Sequence, residues 1–248
     1  MRVVRHLVRR RVRVPIDDRH LDAEPLQFDH HFLPQFAPTE DLSRYPRDFL
    51  RDRALCRRMG ADALFFPSDA EMYPGRDQGR YSTYVVEEAL TRPMEGASRP
   101  THFRGVTTVV AKLFNLILPD ISIFGAKDWQ QAAVVSRMTQ DLNFPIHIVV
   151  APTHREPDGL AMSSRNRRLT AEQRAAAACV PRSLDQVRAA FRSGTTDARE
   201  LQAIGRGIVA AEPLARFEHL DLVDGTTLEP VDRATTGTVA LTAVWFGD

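Results

Sequence analysis

Lysine and cysteine are both scarce in this 248-residue chain. Of 33 basic residues only Lys112 and Lys127 are lysines, so arginine supplies almost every generic positive charge. The two cysteines, Cys56 and Cys179, cannot build a disulfide framework, and no Cys/His cluster has zinc spacing. Two reduced thiols are the expectation, as in a cytoplasmic protein. No charge of one sign dominates: 33 basic against 32 acidic residues leave a formal +1, which provides no global field to attract nucleic acid or an anionic membrane. No run approaches the ~20 apolar residues of a membrane span. The start is arginine-rich, with seven arginines in the first nineteen residues. It lacks the aromatics that would stack on bases. It also lacks the continuous apolar stretch of a secretory signal, and the acidic residues Asp17, Asp18, Asp22 and Glu24 argue against a transit peptide.

From about Arg44 an α/β rhythm sets in. A polar, helix-capable run carrying Phe49, Leu50, Leu55 and Met59 ends at Gly60. Ala63–Pro67 reads as a short strand stopped by proline, and Ser68–Glu71 can open a turn of helix. Val106, Val109, Val110, Leu113, Phe114 and Ile117 follow helical spacing as far as Leu118. Ile121–Phe124 is then a strand, Asp128–Leu142 a helix with Ala132, Val135 and Met138 on one face, and Ile146–Val150 a strand. That order is the βαβ signature of a parallel sheet. Beyond Pro152 an irregular stretch leads to a capping-box pattern at Thr170–Gln173. An alanine-rich helix follows as far as Gly194, then a helical run over 197–211, and short strands around Asp224-Gly225 and Thr236-Gly237 turns.

Ligands of an open parallel sheet bind beyond the carboxyl ends of its strands, where helix N-termini attract anions. Three segments occupy such positions. Phe124–Gln131 combines a glycine that lets backbone approach a phosphate, the rare Lys127 and the start of a helix; the plain alternative is a surface lysine on a turn. Asp158–Asn166 exposes two hydroxyls, an arginine and an amide suited to triphosphate oxygens, although serine and asparagine beside a helix start also act simply as caps. Arg99–Gly105 puts charge and a flexible glycine before the helix at Val106, an arrangement that loop solvation explains equally well.

Met94–Val106, Lys112–Asn115, Pro119-Asp120, Phe124–Gln131 and Asp158–Asn166, with Pro34-Gln35-Phe36, Glu40-Asp41-Leu42, Tyr45-Pro46-Arg47 and Glu71–Pro74 upstream, resemble the pantothenate synthetases in order and spacing over about Phe32 to Asp248. The resemblance implies a Rossmann-like α/β nucleotidyltransferase domain over 32–151, a smaller α+β C-terminal domain over 152–248 and an atypical segment over 1–31. It also implies a cytoplasmic homodimer. The family activity is ATP-dependent condensation of pantoate with β-alanine through a pantoyl-adenylate, with Mg2+ accompanying the nucleotide. By position, Gly125, Ala126, Lys127, Asp128, His154 (through its backbone), Met162, Ser163, Ser164 and Arg165 would contact ATP. Gln35 and Gln131 would hold pantoate, Gln35 also lying near β-alanine, Arg99 would serve the β-alanine side, and Asp52 would help place Mg2+. Lys127 and Ser163–Arg165 are expected to converge on one nucleotide site between the domains. Lys112 is expected only to cover the exposed edge of its helix.

The chain departs from the family pattern in three places. Residues 1–31 contain neither the Pro-Thr-Met-Gly loop nor the His-x-Gly-His pair that carries the family's catalytic histidine, and His30-His31 lack its spacing. Phe28–Pro34 stands where the family has an apolar strand ending in Asn-Pro. The chain stops at Gly247-Asp248 where family members usually continue briefly. Impaired turnover is the expectation, with a non-catalytic chain that keeps nucleotide binding or dimerisation as the alternative.

Overall fold

A computed structural model describes residues 49–247, so Gln35, the segment 1–31 and Tyr45-Pro46-Arg47 lie outside the described residues. The chain forms two compact units. The first runs to Ser122 and adds Val134–Val149; the second is Ile123–Ala133 with Val150 onward.

In the first unit, α1 (Phe49–Arg58) puts Arg57 and Arg58 in its last turn, where the helix dipole favours cations. Ser68 begins the short helix α2 (Asp69–Met72) with a reciprocal capping box: its Oγ accepts from the Glu71 N–H at 3.3 Å, and its own N–H donates to Glu71 Oε2 at 2.8 Å. After α3 (Glu95–Ser98) comes the long helix α4 (His102–Ile117). Its spaced apolar residues Val106, Val109, Val110 and Phe114 are buried as the periodicity requires. Thr107 Oγ1 donates to the Val85 carbonyl at 2.7 Å and Thr108 Oγ1 accepts from the Val85 N–H at 3.0 Å, which straps the segment before α3 onto the helix.

Three expectations for this unit need correction. Ala63–Pro67 is not a strand; no neighbour hydrogen-bonds it among the described residues, and an extended segment without a ladder partner is only coil. The helix at Val106 begins four residues earlier, so His102 and Gly105 are buried in its first turn rather than displayed on a flexible loop. Lys112 does not merely cover an exposed edge: its Nζ sits over the Tyr73 ring at 5.7 Å and the Tyr81 ring at 5.5 Å, the face where a ring quadrupole attracts a cation.

The expected β-α-β run is present. β1 (Ile121–Gly125), a 3-10 turn over Ala126–Asp128, α5 (Trp129–Asp141) and β2 (His147–Ala151) follow in order, and β1 and β2 pair in a two-stranded parallel sheet. Ala132, Val135 and Met138 are buried along α5.

The C-terminal region of the second unit is α+β. The Thr170–Gln173 capping box forms, with Thr170 Oγ1 accepting from Gln173 N–H at 3.2 Å and Gln173 Oε1 accepting from Thr170 N–H at 3.0 Å. The alanine-rich helix it opens is divided into α6 (Ala171–Ala176) and α7 (Cys179–Arg192). Pro181 accounts for the break: it has no N–H for the carbonyl four residues back and its ring would clash there, whereas the first turn of a new helix accommodates it. Asp197 caps α8 (Ala198–Ala210) through a 3.0 Å bond to Glu200 N–H. β3 (Ala215–Asp224) and β4 (Thr238–Phe246) are two long antiparallel strands rather than several short ones. Val187, Ala198, Leu201, Leu220, Leu222 and Ala234 form the core between α7, α8 and this sheet. Cys56 and Cys179 are both buried free thiols, and burial pushes the Cys179 thiol up.

Candidate active site

β1 delivers the chain into the turn Gly125–Asp128. Gly125 has φ −80° and ψ 136°, ordinary extended values, and a Cβ added there would meet nothing within 4 Å. Neither backbone conformation nor neighbouring atoms require glycine at this position. What its missing side chain leaves is open space beside exposed backbone, the condition for close approach by a ligand. Lys127 Nζ lies 3.2 Å from Asp128 Oδ1, both side chains substantially exposed, a pairing that a phosphate could replace. Gln130, next along, is buried, while Gln131 is half-buried. Trp129 donates from Nε1 to the Gly225 carbonyl at 3.0 Å, tying the start of α5 to the end of β3 across 96 residues.

After β2 the chain makes a tight hairpin. Met162 N–H donates to the His154 carbonyl at 2.9 Å, Arg155 bridges to Ala161, and Glu156 N–H donates to the Leu160 carbonyl at 2.8 Å. At the tip, Gly159 has φ +87°, where a side chain would be strained, and an added Cβ would press on Pro181 at 3.3 Å. The hairpin carries the chain into Ser163, whose Oγ accepts from Arg165 N–H at 3.2 Å and starts a 3-10 turn over Ser164–Arg168. Arg165, Arg167 and Arg168 are exposed on that turn, so it presents a concentrated positive surface beside two hydroxyls.

The amide grouped with those hydroxyls has another task. Asn166 Nδ2 donates to Glu156 Oε1 at 2.9 Å and to the Ala161 carbonyl at 3.1 Å, so it braces the hairpin instead of reaching outward. A second brace comes from α6. Arg174 contacts Glu156 Oε2 at 2.6 Å through Nη2 and Asp158 through both nitrogens, at 2.5 and 3.1 Å. Its guanidinium holds the Asp158 carboxyl down at about 2, with the Leu160 N–H assisting, and lowers Glu156 with help from Asn166. Arg174 and Glu156 escaped the sequence reading because only folding brings residues 18 apart onto one another. The available signal was an acidic pair, Glu156 and Asp158, flanking the Gly159 turn with an arginine in the next helix.

One compact unit therefore contains Gly125, Ala126, Lys127, Asp128, Gln131, His154, Met162, Ser163, Ser164 and Arg165. Asp52 and Arg99 belong to the other. Asp52 is exposed in the first turn of α1. Arg99 forms an ion pair with Glu95, one helical turn earlier, and its side chain is only 18% exposed. His102, buried beside it, has Nε2 at 3.9 Å from the same carboxylate. Among the described residues no group of three His, Cys, Asp or Glu side chains could hold a metal ion, and no helix is long and apolar enough to cross a membrane.

The pattern of the family described as Pantoate-beta-alanine ligase matches residues 33–248. The pantothenate synthetase of Syntrophotalea carbinolica is 51% identical over 213 residues, 86% of this chain and 74% of that protein. Among solved structures, pantothenate synthetase from Thermus thermophilus superimposes with a TM-score of 0.82 at 44% identity, covering 87% of this chain and 76% of that one. The pantoate-beta-alanine ligase of Francisella tularensis, solved in complex with "Beta-gamma ATP" and beta-alanine, gives 0.63 at 26% identity with the same coverages.

Proposed function

Because the chain belongs to the pantoate–β-alanine ligase family, we propose that its reaction is the ATP-dependent condensation of pantoate with β-alanine. A pantoate carboxylate oxygen attacks the α-phosphorus of ATP and pyrophosphate leaves. The β-alanine amine then attacks the acyl carbon, a proton is lost, and AMP departs as pantothenate forms. The observation that carries this reading is the gathering of the two strand-end loops, Gly125–Asp128 and Met162–Arg165, in one unit of a chain about half identical to pantothenate synthetases.

In this assignment Lys127, Ser163, Ser164 and Arg165 hold the triphosphate. Lys127 supplies a compact point charge, Arg165 a planar fork, and the serines hydroxyl donors. The Met162–Ser163 backbone and that of His154 border the nucleotide; the His154 carbonyl already accepts from Met162, which fixes the hairpin's entry. Gln131 and Gln35 orient pantoate. Arg99, paired with Glu95, is assigned to the β-alanine side of the reaction. Such groups accelerate adenylyl transfer by positioning reactants and stabilising charge that builds on the phosphates. Magnesium would travel with the triphosphate, since it typically takes one or two carboxylates plus phosphate oxygens rather than an all-protein cage. Exposed Asp52 is the protein carboxylate assigned to that ion. A cytoplasmic homodimer is the state in which this chemistry is assigned.

A second reading, nucleotide binding without turnover, is favoured by one feature: residues 1–31 contain no His-x-Gly-His. AMP and pantothenate formation with pantoate, β-alanine, ATP and magnesium separates the two, measured on this chain and on a version whose residues 1–31 are replaced by a family N-terminal segment. Loss of a positioned acid–base group predicts a rate lower by about two to four powers of ten for the chain as it stands. Equal rates would show that residues 1–31 provide a working substitute. No pantothenate from either version would overturn the ligase assignment.

A further inference from the structure

Resting on the reading that Ser163–Arg165 grip the triphosphate, we propose that Arg174 is a positioning residue for ATP, its guanidinium clamping Glu156 and Asp158 so that the phosphate loop is held in one conformation before the nucleotide arrives. The loop from Glu156 to Arg165 has no regular secondary structure beyond one bridge and one 3-10 turn. Its side chains could adopt many arrangements, each of which would have to be frozen on binding. Three features remove that freedom. Asn166 ties the exit of the loop to Glu156, at its entry. Asp158 accepts from Leu160 N–H at 3.1 Å, closing the tip. Arg174 joins both carboxylates, and its own position is fixed by the α6 capping box and by its N–H donating to the Thr170 carbonyl at 2.8 Å.

The geometry requires arginine. One planar fork reaches two carboxylates in different directions, whereas a lysine ammonium could satisfy one and leave the other to swing. Because the three side chains are 27, 30 and 38% exposed, their pairing adds little to global stability. Its effect is local order, the property that a preorganised binding loop needs.

The test compares calorimetric titrations of ATP and of adenosine into the full chain, Arg174→Lys, Arg174→Gln and Ser164→Ala, with hydrogen exchange followed over residues 156–166. Arg174→Lys is expected to weaken ATP by roughly tenfold, to leave adenosine affinity unchanged, and to speed exchange within the loop while the thermal midpoint barely moves. A purely structural role for Arg174 would weaken both ligands together, and that outcome overturns the proposal. So does unchanged ATP affinity in Arg174→Lys when Ser164→Ala still weakens ATP, a result that leaves the phosphate reading standing. If Ser164→Ala binds ATP like the parent chain, the phosphate reading fails and the proposal with it. Should Arg174→Gln not fold, the lysine variant, which keeps the charge, decides the matter.

Discussion

The two loops assigned to the nucleotide are held in opposite ways. Among the described residues the turn after β1 has one side-chain contact of its own, between adjacent Lys127 and Asp128, and its glycine faces open space. The loop after β2 is braced on several sides by Arg174, Asn166, Asp158 and a glycine that its backbone cannot do without. A turn of four residues between a strand and a helix inherits its geometry from those elements and needs few braces. A ten-residue excursion has no such inheritance, and side-chain bonds must supply the order. Conserving function in the first loop is thus a matter of leaving space, and in the second a matter of keeping contacts.

The sharpest break in this comparison comes from its glycines. Gly159→Ala should destabilise the protein by about 1–3 kcal/mol, because a side chain is forced into a positive-φ conformation against Pro181. Gly125→Ala should leave stability within about 0.5 kcal/mol, while ATP affinity falls. Denaturant melts and nucleotide titrations of both variants measure this, and equal stabilities would dissolve the distinction.

Next in size is the pair of lysines. Lys127→Ala should weaken ATP by about tenfold, the value of one lost charge-assisted hydrogen bond. Lys112→Ala should leave ATP affinity in place and lower stability by about 0.5–1 kcal/mol, through loss of its contacts with the Tyr73 and Tyr81 rings. Calorimetry and thermal melts on the two variants check both halves. Equal losses of ATP affinity would remove the special role of Lys127.

The smallest effect concerns pH. Asp158 sits at about 2 in the folded chain, below the ordinary value near ~3.9 of an unfolded aspartate, because Arg174 favours its charged form. A depressed folded pKa means that the clamp contributes fully above the unfolded value and is lost as pH falls from about 4 towards 2. Exposure keeps the contribution small. Thermal midpoints of the parent chain and Asp158→Asn should therefore differ at pH 6 and converge towards pH 2. A gap that persists at the acid end would show that Asp158 acts through something other than its charge.

What could be read from the sequence alone was whatever is encoded locally. The 3.6-residue spacing of Val106, Val109, Val110 and Phe114, the turn of helix opened at Ser68, the capping box at Thr170, the helical run from Asp197 and the β-α-β order depend on neighbours within a few residues. The structure reproduces them. The ordered motifs also carried the family. Several of the failures involved partners distant in the chain. Ala63–Pro67 has strand composition but no ladder among the described residues, and Lys112 has helix-surface spacing but tyrosines brought over from residues 73 and 81. Asn166 looked like a ligand group until Glu156 and the Ala161 carbonyl took its amide. Above all, the clamp of Arg174 on Glu156 and Asp158 has no periodicity and no motif to announce it. Local propensities are summed along the chain and can be read there, whereas the pairing of a guanidinium with two particular carboxylates is decided only when helix α6 docks its arginine against the hairpin, and that is a property of tertiary structure.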